Sequence, residues 1–274
     1  MAVTSLDLAG ALRDEVVALM RGAEERVRFD LAAGEDVVPG RALLDDAALM
    51  ALVKRAGNVD ITGIDPRADL RASASRFVRQ YARAILYAVM GGLAAGIRID
   101  ASIDRISFVM RRNIPFALVL RSRDLRAIAP EMHDIAREEV LDRLFVANLL
   151  PVVRNVERLV RVSAKVNWNN LAEVFALVAE AARDAGRDAA TYYADRDAVL
   201  DRARLPGMRV PNPLRGQIRW VSVDDPRIAH PILVRRVCCA CFILPDRPGR
   251  KCLNCPLVST EELIAMNVPA TATS

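Results

Sequence analysis

All five cysteines of the 274-residue chain fall between Cys238 and Cys255, in the stretch CCACFILPDRPGRKCLNCP that ends at Pro256. This confinement constrains the fold more than any other feature. The segment from residue 205 onward opens with the Pro- and Gly-rich run PGMRVPNPLRGQ and contains few apolar runs. About 70 residues of that kind bury too little surface to fold alone without a staple. The N-terminal sequence lacks the basic start and continuous apolar core of a signal peptide. The uncharged run from Ala84 to Ile97 has 14 residues, short of the roughly 20 that cross a bilayer. No membrane span and a cytoplasmic location are therefore expected. Thiols stay reduced there, so the cluster reads as metal-binding or redox-active rather than as disulfides.

The first two thirds reads as helical. Leu8, Leu12, Val16, Leu19, Ala23, Val27 and Leu31 recur at three- and four-residue steps and predict one amphipathic helix. A second helix is expected from Leu43 to Arg55, ending near Gly57-Asn58, and a long third one from Asp65-Pro66 to about Gly96. The paired Gly91-Gly92 suits close packing of that helix. Two β-rich runs between Arg105 and Leu120 predict a hairpin whose turn, RRNIP, is longer than two residues. Pro130 starts a helix that Pro151 kinks or divides. A further helix, capped by Asn167, runs to Gly186, and another follows it. After residue 205 a strand, IRWVSV, is expected before a loop-rich cysteine segment. The predicted class is α+β and mainly α-helical, with a central β-hairpin or small antiparallel sheet. A loose boundary separates residues 1–204 from 205–274.

Charge is uneven. The net value is +5, yet residues 201–256 carry 11 Lys or Arg against 4 Asp or Glu. Basic character therefore belongs to the segment around the cysteines, where Arg235, Arg236, Arg247, Arg250 and Lys251 flank the thiols. Positive charge favours thiolate, the metal-binding form. Cys252-Leu253-Asn254-Cys255 is a chelating turn. The adjacent pair Cys238-Cys239 is less ordinary, because neighbouring side chains of an extended segment point to opposite sides. One tetrahedral ion uses such a pair awkwardly, whereas a two-iron cluster offers two metal atoms to four thiolates. A four-cysteine zinc site remains open on spacing alone.

The stretches RRVCCACFILP and KCLNCP resemble the C-terminal signature of FhuF-type siderophore-iron reductases. ADLRASASRFVRQYARAILYAVMGG, ISFVMRRNIPFALVL and VSAKVNWNNLAEVFALV resemble that family more weakly, in the same order. The resemblance implies a [2Fe–2S] cluster on Cys238, Cys239, Cys252 and Cys255. It also implies one-electron reduction of Fe(III) held by a siderophore of the hydroxamate class, with an external electron donor. One departure stands out: twelve residues, not ten, separate Cys239 from Cys252. Ten separate Cys241 from Cys252, so Cys241 is an alternative ligand or else a small semi-buried side chain. Arg219, Arg235 and Arg236 are candidates for attracting an anionic chelate or an acidic donor.

Other chemistry finds little support. His133 and His230 are the sole histidines, too few for a multi-histidine metal site or a Ser-His-Asp arrangement. Neither a GxGxxG nor a GxxxxGK[ST] loop is present. Two rival functions remain: a zinc-stapled basic protein that binds nucleic acid or a protein partner, and a [2Fe–2S] electron-transfer or sensing protein without a chelate substrate. The 5% aromatic content and balanced charge elsewhere argue against a nucleic-acid surface.

Overall fold

Thr4 opens the first helix with a capping box. Its hydroxyl accepts from the Asp7 N–H at 3.2 Å, and the Asp7 carboxylate accepts from the Thr4 N–H at 2.9 Å. The computed structural model describes residues 4–20, 26–57 and 69–268. Helix α1 (Ser5–Leu19) buries Ala9, Leu12, Val16 and Leu19 at helical spacing. The apolar face does not continue as one helix. Val27 lies in strand β1 (Val27–Arg28) and Leu31 is half exposed, while Ala23 falls outside the described residues. Val27 pairs in parallel with Leu118, a long-range contact that four-residue spacing cannot announce.

Strand β2 (Val37–Pro39) leads through a 3-10 turn, Gly40–Leu44, into α2 (Asp46–Ala56), whose cap is Asp45. The helix thus starts three residues later than expected and stops before Gly57, as anticipated. The proposed start at Asp65-Pro66 lies outside the described residues. Helix α3 (Leu70–Ala94) is capped by Asp69, whose carboxylate accepts from the Arg71 and Ala72 amides. It is the central rod, packed against α1, α2, strand β5 and helix α6 described below. Side chains such as Phe77, Tyr81 and Ile85 are fully buried along it, each contributing roughly 2 kcal/mol of apolar burial. Gly92 lets the following strand β3 (Ile97–Arg98) fold back closely, since a Cβ there would sit 2.7 Å from Ile99 Cδ1.

The hairpin forms from β4 (Ser107–Arg111) and β5 (Ile114–Val119), at the centre of a four-stranded sheet ordered β1-β5-β4-β2. Its turn is shorter than the sequence suggested. Arg112 and Asn113 alone make it, both at positive φ, which matches the twist of the flanking strands. Pro115 lies within β5, opposite Met110 and beside a register shift between Val109 and Met110, where a missing N–H is tolerated. Strand β6 (Arg126–Ala127) pairs with β3.

Pro151 acts as expected, by a specific route. It has no N–H to offer the carbonyl of Ala147 four residues back. A π-turn, Phe145–Leu149, therefore intervenes between α4 (His133–Leu144) and α5 (Leu150–Val160). The freed Ala147 carbonyl accepts from the Ile103 N–H at 3.0 Å. Helix α6 (Ala164–Asp184) begins one turn before the predicted Asn167, with Ser163 at its cap. Asn167, Asn169 and Asn170 are fully buried instead. Helix α7 (Ala189–Leu200) follows, capped by Asp188. The expected strand is β7 (Ile218–Val221), antiparallel to β8 (Ile232–Arg235), and α8 (Thr260–Asn267) closes the described chain. The fold is α+β and mainly helical, with small, largely antiparallel sheets in which only the β1–β5 pairing is parallel among the described residues. Ala72, Cys239, Cys241 and Leu244 form a small apolar cluster apart from the main core, as do Ile232, Val234 and Leu263.

Candidate metal centre

β8 delivers the chain to the cysteines three residues after Arg235. Ala240 then adopts a left-handed conformation, φ 57°, and a 3-10 turn spans Cys241–Ile243. The segment is therefore not extended. The neighbours Cys238 and Cys239, expected to point to opposite sides of an extended segment, both line the same space. The Ala240 N–H donates to Cys238 Sγ at 3.3 Å. Gly249, at φ 69°, turns the chain back so that its N–H reaches the Phe242 carbonyl at 2.8 Å. The Cys252–Cys255 turn closes with the Cys255 N–H on the Cys252 carbonyl at 3.0 Å. Cys239 Sγ and Cys252 Sγ end 3.9 Å apart, 13 residues distant in sequence.

All five thiols line one enclosure of about 10 Å³, together with Arg79, Phe242, Arg247, Arg250 and Lys251. Cys241 is buried and donates to the Cys239 carbonyl at 3.8 Å, so it belongs to this sulfur cluster. The Cys239 thiol is held far below its usual value, first by hydrogen bonds from Cys238, Cys241 and Cys252 and then by Arg235. Sharing with Cys239, and then burial, pushes Cys238, Cys241 and Cys252 up. One thiolate is thus stabilised at the hub of the set. Among the described residues no group of three or more His, Cys, Asp or Glu side chains stands ready as a cage for a single ion. The donors are all sulfur, and the N–H and cationic groups around them suit thiolates that bind zinc or iron–sulfur centres rather than hard cations.

A buried ionic lattice holds this loop in place. Glu173 of α6 is fully buried and accepts from Arg79 of α3 at 2.9 and 2.5 Å. Arg235 Nη1 lies 3.2 Å from the same carboxylate, and Arg235 Nε donates to Asn169 at 2.8 Å. Asn254, inside the Cys252–Cys255 turn, also donates to Glu173. Burial opposes the charge on Arg79, but the charge and hydrogen bonds of Glu173 outweigh it and raise its pKa. One carboxylate therefore ties α3, the end of β8 and the chelating turn together. Arg76 adds a second tie, to Asp246 in the intervening loop at 2.8 Å.

Arg235 thus differs from its expected place. It is completely buried and cannot meet a chelate or a donor, whereas Arg219 and Arg236 are exposed. His230 is exposed, and neither it nor His133 lines the sulfur enclosure. Sequence reasoning missed Arg79, Glu173, Asn254 and Asp246. A signal for part of the lattice existed in α6: Asn169, Asn170 and Glu173 form a polar stripe at three- and four-residue spacing on a helix otherwise rich in apolar residues.

These features define a mainly helical protein that carries a thiol-lined site on a C-terminal loop, braced by a buried Arg–Glu–Arg lattice. The family model described as "Ferric iron reductase FhuF-like transporter" matches residues 75–227. The match covers more than half of the chain, which belongs to that family. The matched segment contains Arg79, Asn169, Asn170 and Glu173 but stops short of the cysteines. Aerobactin synthetase IucC from a hypervirulent pathotype of Klebsiella pneumoniae is a structural neighbour at 16% identity and TM-score 0.46. The alignment covers 67% of this chain and 37% of that one. No curated protein matches the chain. Among the described residues no helix is long and apolar enough to cross a membrane.

Proposed function

We propose that the chain reduces ferric iron held by a hydroxamate-type siderophore, using a [2Fe–2S] cluster on Cys238, Cys239, Cys252 and Cys255. Cys241 is the alternative ligand. The observation that carries this reading is the convergence of five thiols in a member of a ferric-reductase family. Bound there, the cluster would supply a one-electron couple. The overall reaction takes one electron from an external donor and converts chelated Fe(III) to Fe(II). No bond of the chelator breaks, so neither a nucleophile nor a general base is required. Hard oxygen ligands hold Fe(II) weakly, so the metal leaves.

The chain's own residues prepare the site for this. Arg79 and Arg235 set positive charge beside the thiolates, and Glu173 fixes both guanidinium groups. Arg247, Arg250 and Lys251 surround the sulfurs on the loop itself. Arg219 and Arg236 are the exposed charges left to steer an acidic donor or an anionic ligand. The test is an anaerobic preparation assayed for iron, acid-labile sulfide and zinc. It is then bleached with dithionite and mixed with a ferric trihydroxamate. Equal iron and sulfide, with colour restored and Fe(II) released, is the expected result. Zinc in place of iron refutes the redox role. A cluster that no ferric chelate reoxidises refutes the substrate.

A further inference from the structure

A second surface feature bears on where the chelate binds. A groove of about 270 Å³ runs between α6, α7 and the β7–β8 ribbon, lined by Glu180, Arg183, Tyr193, Arg196, Trp220 and His230. Trp220 is 39% exposed, an uncommon state for so large an aromatic side chain. The Arg196 guanidinium lies 4.5 Å from the Tyr193 ring and 5.9 Å from the Trp220 ring, so it stands between two π-faces. Its own charge is met by Asp197 at 2.7 Å and Glu180 at 3.7 Å. Arg183 is met by Asp184 at 2.8 Å and by Glu180. Two guanidinium groups therefore face three carboxylates, and the groove carries no excess of positive charge.

The groove and the sulfur enclosure rest on the same elements, α6 and the β7–β8 ribbon. Glu180 is seven residues beyond Glu173 on α6, about 10 Å along the axis, and Glu173 bonds Arg79 at the sulfur enclosure. On the ribbon, Trp220 sits opposite Leu233, and at most about 18 Å of chain separates Leu233 from Cys238.

We propose that this groove, with Trp220, Tyr193 and Arg196, docks the ferric chelate and selects an uncharged one. The assignment rests on the reductase reading above. Three hydroxamates, each carrying one negative charge, cancel Fe(III) and leave a neutral complex with apolar spacers and an oxygen-rich rim. The rings offer flat apolar faces to the spacers, and Arg196 offers N–H donors to the rim oxygens. A tris-catecholate complex carries three negative charges and would meet Glu180 and two arginines whose charge Asp184 and Asp197 already answer, which opposes binding.

A gallium(III) trihydroxamate tests docking without reduction, because gallium has the charge of ferric iron but accepts no electron from the protein. Titration is followed by tryptophan emission and by calorimetry. Trp168 is buried and Trp220 is exposed, so quenching is expected from Trp220 and should vanish in Trp220→Phe. Trp220→Ala and Tyr193→Ala should each weaken binding about tenfold. The KM for the ferric complex should rise in step, with kcat changed less than about twofold. Wild-type affinity should stay level between about 50 and about 500 mM salt, as for a neutral ligand. The proposal is overturned if both alanine variants bind within about twofold of wild type, or if the tris-catecholate binds more tightly with steep salt dependence. If gallium complexes fail to bind while ferric ones reoxidise the protein, docking in this groove falls and the reductase reading stands. If gallium complexes bind through Trp220 but ferric ones never reoxidise the protein, the reductase reading falls and the groove remains a chelate site.

Discussion

Replacing Glu173 with Gln removes one charge from a fully buried position and leaves its shape almost unchanged. In the native protein that carboxylate answers Arg79, through two hydrogen bonds, and Arg235, at 3.2 Å. It also accepts from Asn254. Glu173 and Arg235 are fully buried, and the Arg79 side chain is 15% exposed. Breaking a buried pair by removing one partner costs about 3–5 kcal/mol, because the remaining charge is left uncompensated. Here two cations lose one anion, so the upper part of that range applies. A chain of this size moves roughly 2–4 °C in Tm per kcal/mol. Glu173→Gln should therefore melt at least about 10 °C below wild type. Urea titration should show a matching fall in midpoint with little change in slope. The control is Arg158→Gln, which breaks a pair with Asp46 whose side chains are 58% and 53% exposed; it should cost less than about 1 kcal/mol. Because Asn254 sits between Cys252 and Cys255, Glu173→Gln should also lower iron content. A Glu173→Gln protein within about 1 kcal/mol of wild type would refute the claim that this lattice braces the cysteine loop.

Other outcomes are equally direct. Serine at Cys238, Cys239, Cys252 or Cys255 should abolish bound iron and sulfide, whereas Cys241→Ser should retain both; metal analysis of the five variants checks this. Gly40→Ala would put a Cβ 2.2 Å from the Ile103 backbone carbonyl, which cannot move aside, so a loss of about 3 kcal/mol or more is expected by denaturant titration. Burial raises the pKa of Asp195 above the ordinary 3.8, despite Arg137 and His133 nearby. A carboxyl shifted that way costs stability as pH climbs past 3.8 and through the folded-state pKa, and the cost is absent below 3.8. Asp195→Asn should therefore gain Tm relative to wild type at neutral pH and lose that advantage near pH 3.8 and below, as calorimetry across the range would show.

Local chemistry was enough to read most of the helices, the hairpin and the gathering of thiols in one loop. Side-chain periodicity, Pro and Gly punctuation and residue spacing act over a few residues, and so they survive in a linear string. Three readings failed for one shared reason. The face through Val27 was helical in spacing but strand in fact, Asn167 mimicked a cap, and Arg235 looked like a surface charge. In each case tertiary packing decided the outcome: pairing with β5 for Val27, burial along α6 for Asn167, and Glu173 with Asn169 for Arg235. The bond from Arg79 to Glu173 spans 94 residues and that from Asn254 to Glu173 spans 81. Only the packing of α3 against α6 and the ribbon brings such groups together. The sequence by itself determined that sulfur would gather near the C-terminus. The tertiary structure decided which buried charges surround that sulfur, because a side chain's charge is written in the sequence but its burial and its counter-ion are not.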